Sequence, residues 1–437
     1  MNKYIRNIRQ VFDGSFHRKY IREIDFGIGT INFRELIQIG SYILLQRELV
    51  KGGFIREFEK EFAKYIGAKY AFTFGAGRMA FYAILKTMGI KEGDEVILPG
   101  YTCVVVPNAI IYCGAKPVYV DVDLRSFTID ANKIEEKITS RTKVIVVQPM
   151  FSYFYDAEAI LEIAKKYGLE VVEDCAHALG ADYKGIKAGN FGHAAFFTME
   201  ATKIMTTWME GIAVTNDKRL ASKLEEFQRN SPFPEKHDAI KIVRHIFFNV
   251  VLSHPYASFL GKPILRCLYL LRVLSPGITS EERECRKPAK YPTRLLNVLA
   301  MIGLSQLRKI DPNIEHRRLV AKSYEKVLEN LGCITSERTK SYNPVFIRYA
   351  FLAKDREKIK EIFRENQVEL GEWFNSPVHP KDSSLKNAFY RKGSCPIAEF
   401  LSKHSVNLPT SPKISMKDVN RIGRLLEQSR DLLYKAC

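Results

Sequence analysis

Three places in the sequence combine chemically useful residues with the end of an apolar, strand-like run. The glycine-rich turn Gly75-Ala76-Gly77 follows one run, Asp174 and His177 follow a second, and Lys203 follows a third. A glycine-rich turn that opens a helix lets backbone N–H groups approach a phosphate. A carboxylate can keep a ring nitrogen protonated, and a lysine amine can form an imine with an aldehyde.

Each of these signals also has an ordinary structural explanation. A glycine pair can serve only a tight bend, an acidic residue at a strand end often caps the next helix, and a single lysine is usually a solvated surface charge. Their shared position at strand ends favours one site over three unrelated features. A phosphate turn, a carboxylate for a pyridine nitrogen and an imine-forming lysine are the minimal requirements of a pyridoxal phosphate enzyme.

The elements that position these residues alternate between strand and helix patterns from Tyr70 to Asp217. Short β-branched or aromatic runs are separated there by helix-like stretches, a pattern typical of a mainly parallel sheet covered on both faces. Ligands of such sheets bind at the carboxyl ends of the strands. We therefore predict an α/β fold with its site at that edge, followed by a smaller α+β lobe.

The composition excludes several other classes of protein. The chain has 437 residues, of which 46% are apolar and 27% charged, so we expect an enzyme-sized globular protein of two or three lobes. The first residues lack the apolar core of a signal peptide, and no run is long enough to span a bilayer. The eight cysteines form no CxxC pair. We expect a cytoplasmic protein with free thiols and no metal site.

The net charge of +18 is the unusual number in the composition. Such a surplus attracts phosphorylated ligands, anionic lipids or nucleic acid, and nucleic acid is the weakest candidate because no recognised binding motif accompanies the charge. Much of the surplus lies in the N-terminal arm and in residues 231–290, where no acidic residue occurs between Lys241 and Ser280. This apolar and basic insertion fits either an anionic membrane surface, at the inner face of the membrane, or packing on its own lobe or across a dimer.

Longer segments of the sequence resemble a known family. They include KGGFIREFEKEFAKYIGAKYA, GDEVILPGYTCVVVP, VVEDCAHALGADYKGIKAGNFGHAAFFTMEATK and TRLLNVLAMIGLSQLRKID. From about Gly52 to its end the chain resembles the DegT/DnrJ/StrS family of pyridoxal 5'-phosphate-dependent sugar-nucleotide aminotransferases. The resemblance implies fold type I, with a large domain on a mainly parallel seven-stranded sheet, a smaller C-terminal α+β domain and a homodimer.

The resemblance also assigns roles to five residues. Lys203 falls on the family's Schiff-base lysine, and Asp174 falls on the aspartate that pairs with the pyridine nitrogen. His177 takes the position beside the phenolic oxygen of the cofactor. Thr198 aligns with a hydroxyl that reaches the phosphate, and Gly77 with the glycine of the phosphate turn.

Several positions around the cofactor depart from the family pattern. Arg78 replaces the usual threonine after the glycine, so its side chain either pairs with the phosphate or points away. Cys103 stands where an aromatic residue stacks on the pyridine ring, so either Tyr101 covers the ring or the stacking face is thin. Pro292 replaces an asparagine near Arg294, which puts in doubt a phosphate contact from the partner subunit.

The surroundings of the substrate depart further. Trp208 intrudes in a stretch that is normally glycine-rich and retains only Gly211, and Gln148-Pro149-Met150-Phe151 replaces a histidine-containing stretch. Arg294 and His379, the latter in the SPVHP segment, are the candidates for substrate contact. The reaction is therefore easier to predict than the substrate.

With this resemblance the chain divides into four parts. We assign residues 1–60 to a basic arm and entry helix, 61–230 to the large cofactor-binding domain, 231–290 to the insertion, and 291–437 to a dimer-contact helix and the small C-terminal domain.

The sequence thus predicts an aminotransferase that moves an amino group from an amino acid, L-glutamate, to a nucleotide-linked keto sugar in amino-sugar or surface-polysaccharide biosynthesis. Retention of Lys203 argues against relatives that lack the lysine and deoxygenate sugars instead. The alternative, motivated by Cys103, Trp208 and Pro292, is a non-catalytic binding or assembly protein on an aminotransferase scaffold.

Overall fold

The computed structural model describes residues 23–26, 29–254, 258–271, 273–274, 277–333 and 342–435. The basic start of the chain, to which the sequence assigns part of the charge surplus, lies outside these residues. No helix in the described part of the chain is both long and apolar enough to cross a membrane.

The strands, in chain order, are β1 (Tyr70–Phe74), β2 (Glu95–Pro99), β3 (Thr102–Cys103), β4 (Lys116–Val120), β5 (Thr142–Val147), β6 (Glu170–Asp174), β7 (Asp182–Tyr183), β8 (Ile186–Lys187), β9 (Ala194–Thr198), β10 (Gly211–Thr215), β11 (Tyr342–Asn343), β12 (Arg348–Leu352), β13 (Val378–His379) and β14 (Ser405–Pro409).

The α-helices are α1 (Phe33–Leu44), α2 (Phe54–Ile66), α3 (Gly77–Thr87), α4 (Val105–Tyr112), α5 (Ala157–Tyr167), α6 (Lys218–Asn230), α7 (Lys236–Leu252), α8 (Ser258–Leu270), α9 (Ser280–Arg283), α10 (Asn297–Leu307), α11 (Ile310–Asn330), α12 (Arg356–Glu365), α13 (Pro396–His404) and α14 (Met416–Gln428).

Seven of the strands form the central sheet, in the order β1-β10-β9-β6-β5-β2-β4. Neighbours from β9 to β4 pair in parallel, whereas β10 is antiparallel to both β9 and β1. Because β1 is therefore parallel to β9 and β6, the carboxyl ends of these three strands meet at one edge. The predicted seven-stranded, mainly parallel sheet is confirmed.

Helices cover both faces of this sheet, which explains its nearly continuous apolar strands. Successive side chains of a strand point to opposite faces, and β9 shows both layers. Phe196 stacks on Phe81 of α3, with ring centroids 4.7 Å apart, while Phe197 meets Phe62 of α2 edge-on at 5.2 Å. The site edge of the sheet is thus fixed from both sides.

The C-terminal part of the chain forms a smaller α+β arrangement. Strands β12 and β14 pair antiparallel, and apolar residues of α11, α12 and α14 pack around them, including Tyr324, Phe363 and Leu426. Strand β13 instead pairs with β3 of the large part, with His379 opposite Cys103. This pairing brings C-terminal residues to the site edge of the central sheet.

Within the insertion, α7 packs through the buried side chains of Ala239 and Ile246 into the apolar cluster that also contains Phe62 and Phe197. Its other side exposes Phe247 to 50%. The insertion therefore packs partly on the protein's own body, as one of the two alternatives from the sequence has it.

Candidate active site

The sequence-predicted residues meet at the strand edge that the parallel topology defines. Asp174 is the last residue of β6, Thr198 is the last residue of β9, and Gly77 opens α3 shortly after β1. Thr198 lies directly against the glycine, because a Cβ atom added to Gly77 would be 2.6 Å from the Cβ atom of Thr198. The glycine-rich turn and the end of β9 therefore form one surface.

Gly211, the first residue of β10, packs directly against the backbone of the glycine-rich turn. A Cβ atom on Gly211 would lie 2.1 Å from the carbonyl oxygen of Ala76 and 2.4 Å from the backbone nitrogen of Gly77. Only a glycine permits so close an approach of two backbones. This is the physical reason why Gly211 is retained in a stretch that has otherwise lost its glycines.

Lys203 lies in the loop after β9, with its Nζ atom 4.6 Å from the ring centroid of Trp373. Burial lowers the pKa of the Lys203 amine, although Glu200, Cys103 and Asp174 oppose this shift. A lowered pKa increases the neutral fraction of the amine near neutral pH, and the neutral amine is the form that attacks a carbonyl.

Asp174 is buried, with 1% of its surface exposed. Its Oδ1 atom accepts a hydrogen bond from the backbone N–H of Ala176 at 3.0 Å. Burial raises the pKa of Asp174 to about 6, against the opposing influence of the Lys203 charge. A buried carboxylate with so little compensation is poised to accept a positively charged partner.

His177 is held as a neutral ring between aromatic groups. Its plane is nearly parallel to that of Trp373, with centroids 5.1 Å apart and an angle of 5°, and Phe151 stacks at 5.9 Å. The backbone N–H of Phe151 donates to Nδ1 of His177 at 3.3 Å, and burial holds the pKa of His177 well below its usual value. In a neutral imidazole with Nδ1 accepting, Nε2 carries the proton and is a donor.

The Gln148–Phe151 segment, identified as a departure from the family pattern, therefore supports His177. Phe151 adopts φ 52° and Ser152 φ 74°, the left-handed region that L-residues rarely occupy. The carboxamide Oε1 of Gln148 accepts a hydrogen bond from the Thr102 hydroxyl at 3.0 Å. Strained backbone of this kind occurs most often where a site over-determines it.

Arg78 is directed at protein groups. Its Nε atom lies 2.5 Å from a carboxylate oxygen of buried Glu282, and Nη2 donates to the carbonyl oxygen of Gly277 at 3.2 Å. The structure thus gives the second of the two alternatives for Arg78, an orientation toward an internal carboxylate.

Cys103 and Tyr101 are separated by the structure. The Cys103 thiol lies within electrostatic reach of Lys203, Arg78 and Asp174, and burial raises its pKa. The Tyr101 ring is fully buried against Phe374 at 5.3 Å, and its hydroxyl accepts from the Phe374 backbone N–H at 2.6 Å. Of these two residues, Cys103 is therefore the one within electrostatic reach of Lys203.

The two candidate substrate residues also differ in position. His379 stacks on Phe374 at 4.9 Å, and burial together with Arg348 and Lys203 lowers its pKa to about 4. Arg294 places its guanidinium 4.1 Å from the ring centroid of Phe233. Of these two, the structure brings only His379 into the electrostatic surroundings of Lys203.

Residues of the C-terminal part complete the site and were not identified from the sequence. The Arg348 guanidinium lies 3.5 Å from the centroid of the Trp373 ring, the same ring that contacts His177 and Lys203. Arginine within the otherwise apolar run PVFIRYAFL was the available signal for Arg348. The pairing of β13 with β3, which draws this part of the chain inward, has no comparable signal.

The side chains present fit pyridoxal 5'-phosphate. A buried carboxylate with a single described hydrogen bond, a partly buried lysine of lowered pKa and a tight glycine turn at a helix start are gathered at one strand edge. These are the groups that would hold the pyridine nitrogen, the aldehyde carbon and the phosphate. Fold and site together define a fold-type-I enzyme that uses this cofactor.

Comparisons with known proteins agree with this class. The profile of the DegT/DnrJ/EryC1/StrS aminotransferase family matches residues 35–253 and 267–427. The chain therefore belongs to this family of sugar aminotransferases, and its cofactor is pyridoxal 5'-phosphate.

Individual relatives are similar over most of the chain. GDP-perosamine synthase of Caulobacter vibrioides is 32% identical, over 86% of this chain and 90% of the relative. The dTDP-3-amino-3,6-dideoxy-alpha-D-galactopyranose transaminase of Aneurinibacillus thermoaerophilus is 30% identical, over 89% and 93%. Among solved structures, DesV of S. venezuelae in complex with a ketimine intermediate superposes with a TM-score of 0.72 at 23% identity, covering 91% of this chain and 95% of that one.

Proposed function

We propose that this enzyme transfers the amino group of L-glutamate to the keto group of a nucleotide-linked sugar. The observation that carries the proposal is that the Lys203 amine and the buried Asp174 carboxylate lie at the same strand edge, within electrostatic reach of each other. The names of the two relatives, which specify a GDP sugar and a dTDP sugar, support a nucleotide-linked acceptor.

The chemistry that pyridoxal 5'-phosphate supplies when bound is an electron sink and a carrier for the amino group. Lys203 is the residue that would hold its aldehyde carbon, and its Nζ atom would accept and return a proton during amino transfer. Burial keeps a fraction of this amine neutral, so that Nζ can accept that proton at neutral pH.

Asp174 holds the proton on the pyridine nitrogen. Its carboxylate is buried and ionises with difficulty by itself, so a protonated ring nitrogen would relieve an uncompensated charge. Gly77 and Thr198 form the phosphate end, where the start of α3 supplies backbone N–H groups. Cys103 takes the place of the ring-stacking aromatic, and His379 lies on the substrate side.

His177 donates from Nε2 to the phenolic oxygen of the cofactor in this proposal. We expect His177→Phe, which keeps the aromatic stack and removes the donor, to weaken cofactor affinity about 10- to 100-fold, the usual contribution of one hydrogen bond to a charged acceptor. His177→Gln retains a donor and should bind within about threefold of the wild type. Titration of apoenzyme with cofactor, followed by absorbance, measures both; equal affinities for the Phe and Gln variants would contradict the role.

We extend the proposal to a homodimer whose interface includes α1. In this helix Ile37 is 71% exposed, and Leu44 and Leu45 at its end are 84% and 64% exposed. Exposed apolar patches of this kind often mark protein–protein interfaces. Ile37→Glu combined with Leu44→Glu should shift the sedimentation coefficient to that of a monomer. Unchanged sedimentation of the double variant would rule out α1 as the interface.

A cytoplasmic location at the inner face of the membrane is the remaining part of the proposal. The insertion exposes Ile240, Phe247 and Leu260 on α7 and α8, each at about half of its surface, next to a basic sequence. Vesicles containing anionic lipid should float the wild type but not Ile240→Glu/Phe247→Glu. Leu319→Glu, which changes an equally exposed residue of α11, is the matched control; equal flotation of all three proteins would contradict membrane contact.

The acceptor is tested with a panel of keto-sugar nucleotides. Enzyme first aminated with L-glutamate should lose its pyridoxamine absorbance when the correct keto sugar is added, and the sugar should gain an amino group detectable by mass spectrometry. If no member of a panel that covers GDP, dTDP and UDP sugars causes this loss of absorbance, a nucleotide-linked acceptor is contradicted.

A further inference from the structure

A small cavity beside Lys203 has an unusual lining. Two buried arginines, Arg317 and Arg348, line it together with Lys203, Thr410 and Ser411. The arginines come from α11 and β12, and the hydroxyl residues follow β14, so all four belong to the C-terminal part. The cavity joins this cluster to the lysine of the site.

Neither arginine forms an ion pair in the described structure, although Glu369 and Glu200 lie within electrostatic reach of Arg348. Arg317 donates from Nε to Asn313 Oδ1 at 2.8 Å and from Nη1 to the Ile347 carbonyl at 3.1 Å and the Thr410 hydroxyl at 3.2 Å. These acceptors are all uncharged. Within the described ranges, neither guanidinium forms an ion pair with a carboxylate. Buried charges are normally paired, because desolvation of an isolated charge costs several kcal/mol.

The guanidinium of Arg348 lies against aromatic rings, which leaves its N–H groups available for a ligand. Its guanidinium contacts two ring faces, Trp373 at 3.5 Å and Phe26 at 4.3 Å from the centroids, and Gly371 leaves room for it, because a Cβ atom there would lie 2.7 Å from Nη1. Ring contacts orient the plane of a guanidinium but do not satisfy its N–H groups.

Ser411 provides an independent observation. Ser411 is only 8% exposed. Its Oγ atom has no hydrogen-bond partner, although the residue lines the same cavity. Buried hydroxyls nearly always have a partner. A carboxylate in the cavity that these three residues line would offer acceptors to this hydroxyl and to the guanidinium groups.

We propose that Arg348, Arg317 and Ser411 bind a carboxylate group of a substrate next to Lys203. The planar fork of arginine matches a carboxylate, and the position beside Lys203 suits a molecule whose reacting atom lies a short distance from its carboxylate. The inference rests on the proposed function, and two substrates could carry the group: the amino donor, or a sugar that bears a carboxylate.

Binding to the holoenzyme, measured by calorimetry, tests the proposal with unreactive probes. Glutarate stands for the donor because it lacks an amino group, and UDP-glucuronate, compared with UDP-glucose, stands for the acidic sugar. Arg348→Met should weaken the binding of one of the two carboxylate probes about 10- to 100-fold. Arg348→Lys and Ser411→Ala should cause smaller losses of affinity. Arg318→Met, which alters the neighbouring α11 arginine that pairs with Glu315, is the control and should change neither.

The arms of the experiment separate the outcomes. If the variants bind only glutarate more weakly, the site belongs to the amino donor. If they bind UDP-glucuronate but not UDP-glucose more weakly, the site belongs to the sugar. If neither carboxylate binds the wild type, or if folded Arg348→Met and Ser411→Ala bind both as the wild type does, the inference is overturned. Should Arg348→Met fail to fold, Arg348→Lys and Ser411→Ala decide. Failure of the proposed function would show separately, as a wild type without amino transfer from glutamate.

Discussion

Replacing Lys203 with alanine will abolish both the visible absorbance of the bound cofactor and amino transfer from L-glutamate. The Lys203 amine lies 4.6 Å from the centroid of the Trp373 ring and within electrostatic reach of Asp174, and its loss removes both the imine and the proton acceptor. We expect the rate of the glutamate half-reaction to fall by at least about a thousandfold. Stopped-flow absorbance with the purified protein measures this rate.

Two further lysine variants sharpen this test. Lys203→Arg keeps the positive charge but provides no neutral amine, so it should be as inactive as the alanine variant. Lys187 also has a pKa lowered by burial, but its Nζ donates to the Tyr65 carbonyl at 2.6 Å, and Lys187→Ala should keep the wild-type rate. An active Lys203→Ala protein would contradict the assignment.

Replacing Asp174 with asparagine will change stability and activity in opposite directions. In the apoenzyme the pKa of Asp174 rises from 3.8 to about 6, so between these values the folded state holds more protons than the unfolded state and stability falls as the pH increases. Above pH 6 the full penalty, about 3 kcal/mol, is present. An uncharged asparagine removes it, so the apo variant should melt at a higher temperature than the wild type at pH 8.

The same substitution should impair the holoenzyme. Without the carboxylate the protonated ring nitrogen loses a charge partner worth roughly 4 kcal/mol, or about a thousandfold in rate. Melting curves of the apo proteins at pH 4 and pH 8, followed by the glutamate half-reaction, measure the two effects. The stability gain should shrink at pH 4, and Asp431→Asn, at a 90% exposed carboxylate, should show neither effect. A gain that is independent of pH would contradict the burial of the Asp174 charge.

Much of the site was predictable because parallel strands present their carboxyl ends at one edge. The alternation of strand and helix patterns places Asp174, Thr198 and Gly77 there without any knowledge of their contacts. The resemblance then adds their roles. This reasoning works where each residue depends on its own strand and on the topology of the sheet alone.

The rest of the site depends on contacts between distant parts of the chain. The partner of Arg78 is Glu282, which lies in the insertion, and no local pattern connects the two. The Tyr101 side chain points into the core, where its hydroxyl hydrogen-bonds to the backbone of Phe374. Cys103 is instead the residue within electrostatic reach of Lys203. Trp373 likewise reaches the site through tertiary packing that hydropathy patterns do not encode. The division of the chain into four parts stays a prediction.

One measurement tests the central claim directly: the amount of 2-oxoglutarate released when the purified holoenzyme is mixed with L-glutamate in the absence of any sugar. An aminotransferase built on Lys203 and Asp174 should release one equivalent per bound cofactor as the absorbance changes to that of the pyridoxamine form. A folded protein that binds the cofactor yet releases no oxo acid from glutamate or other amino donors would contradict the account and favour a binding or assembly role on the same scaffold.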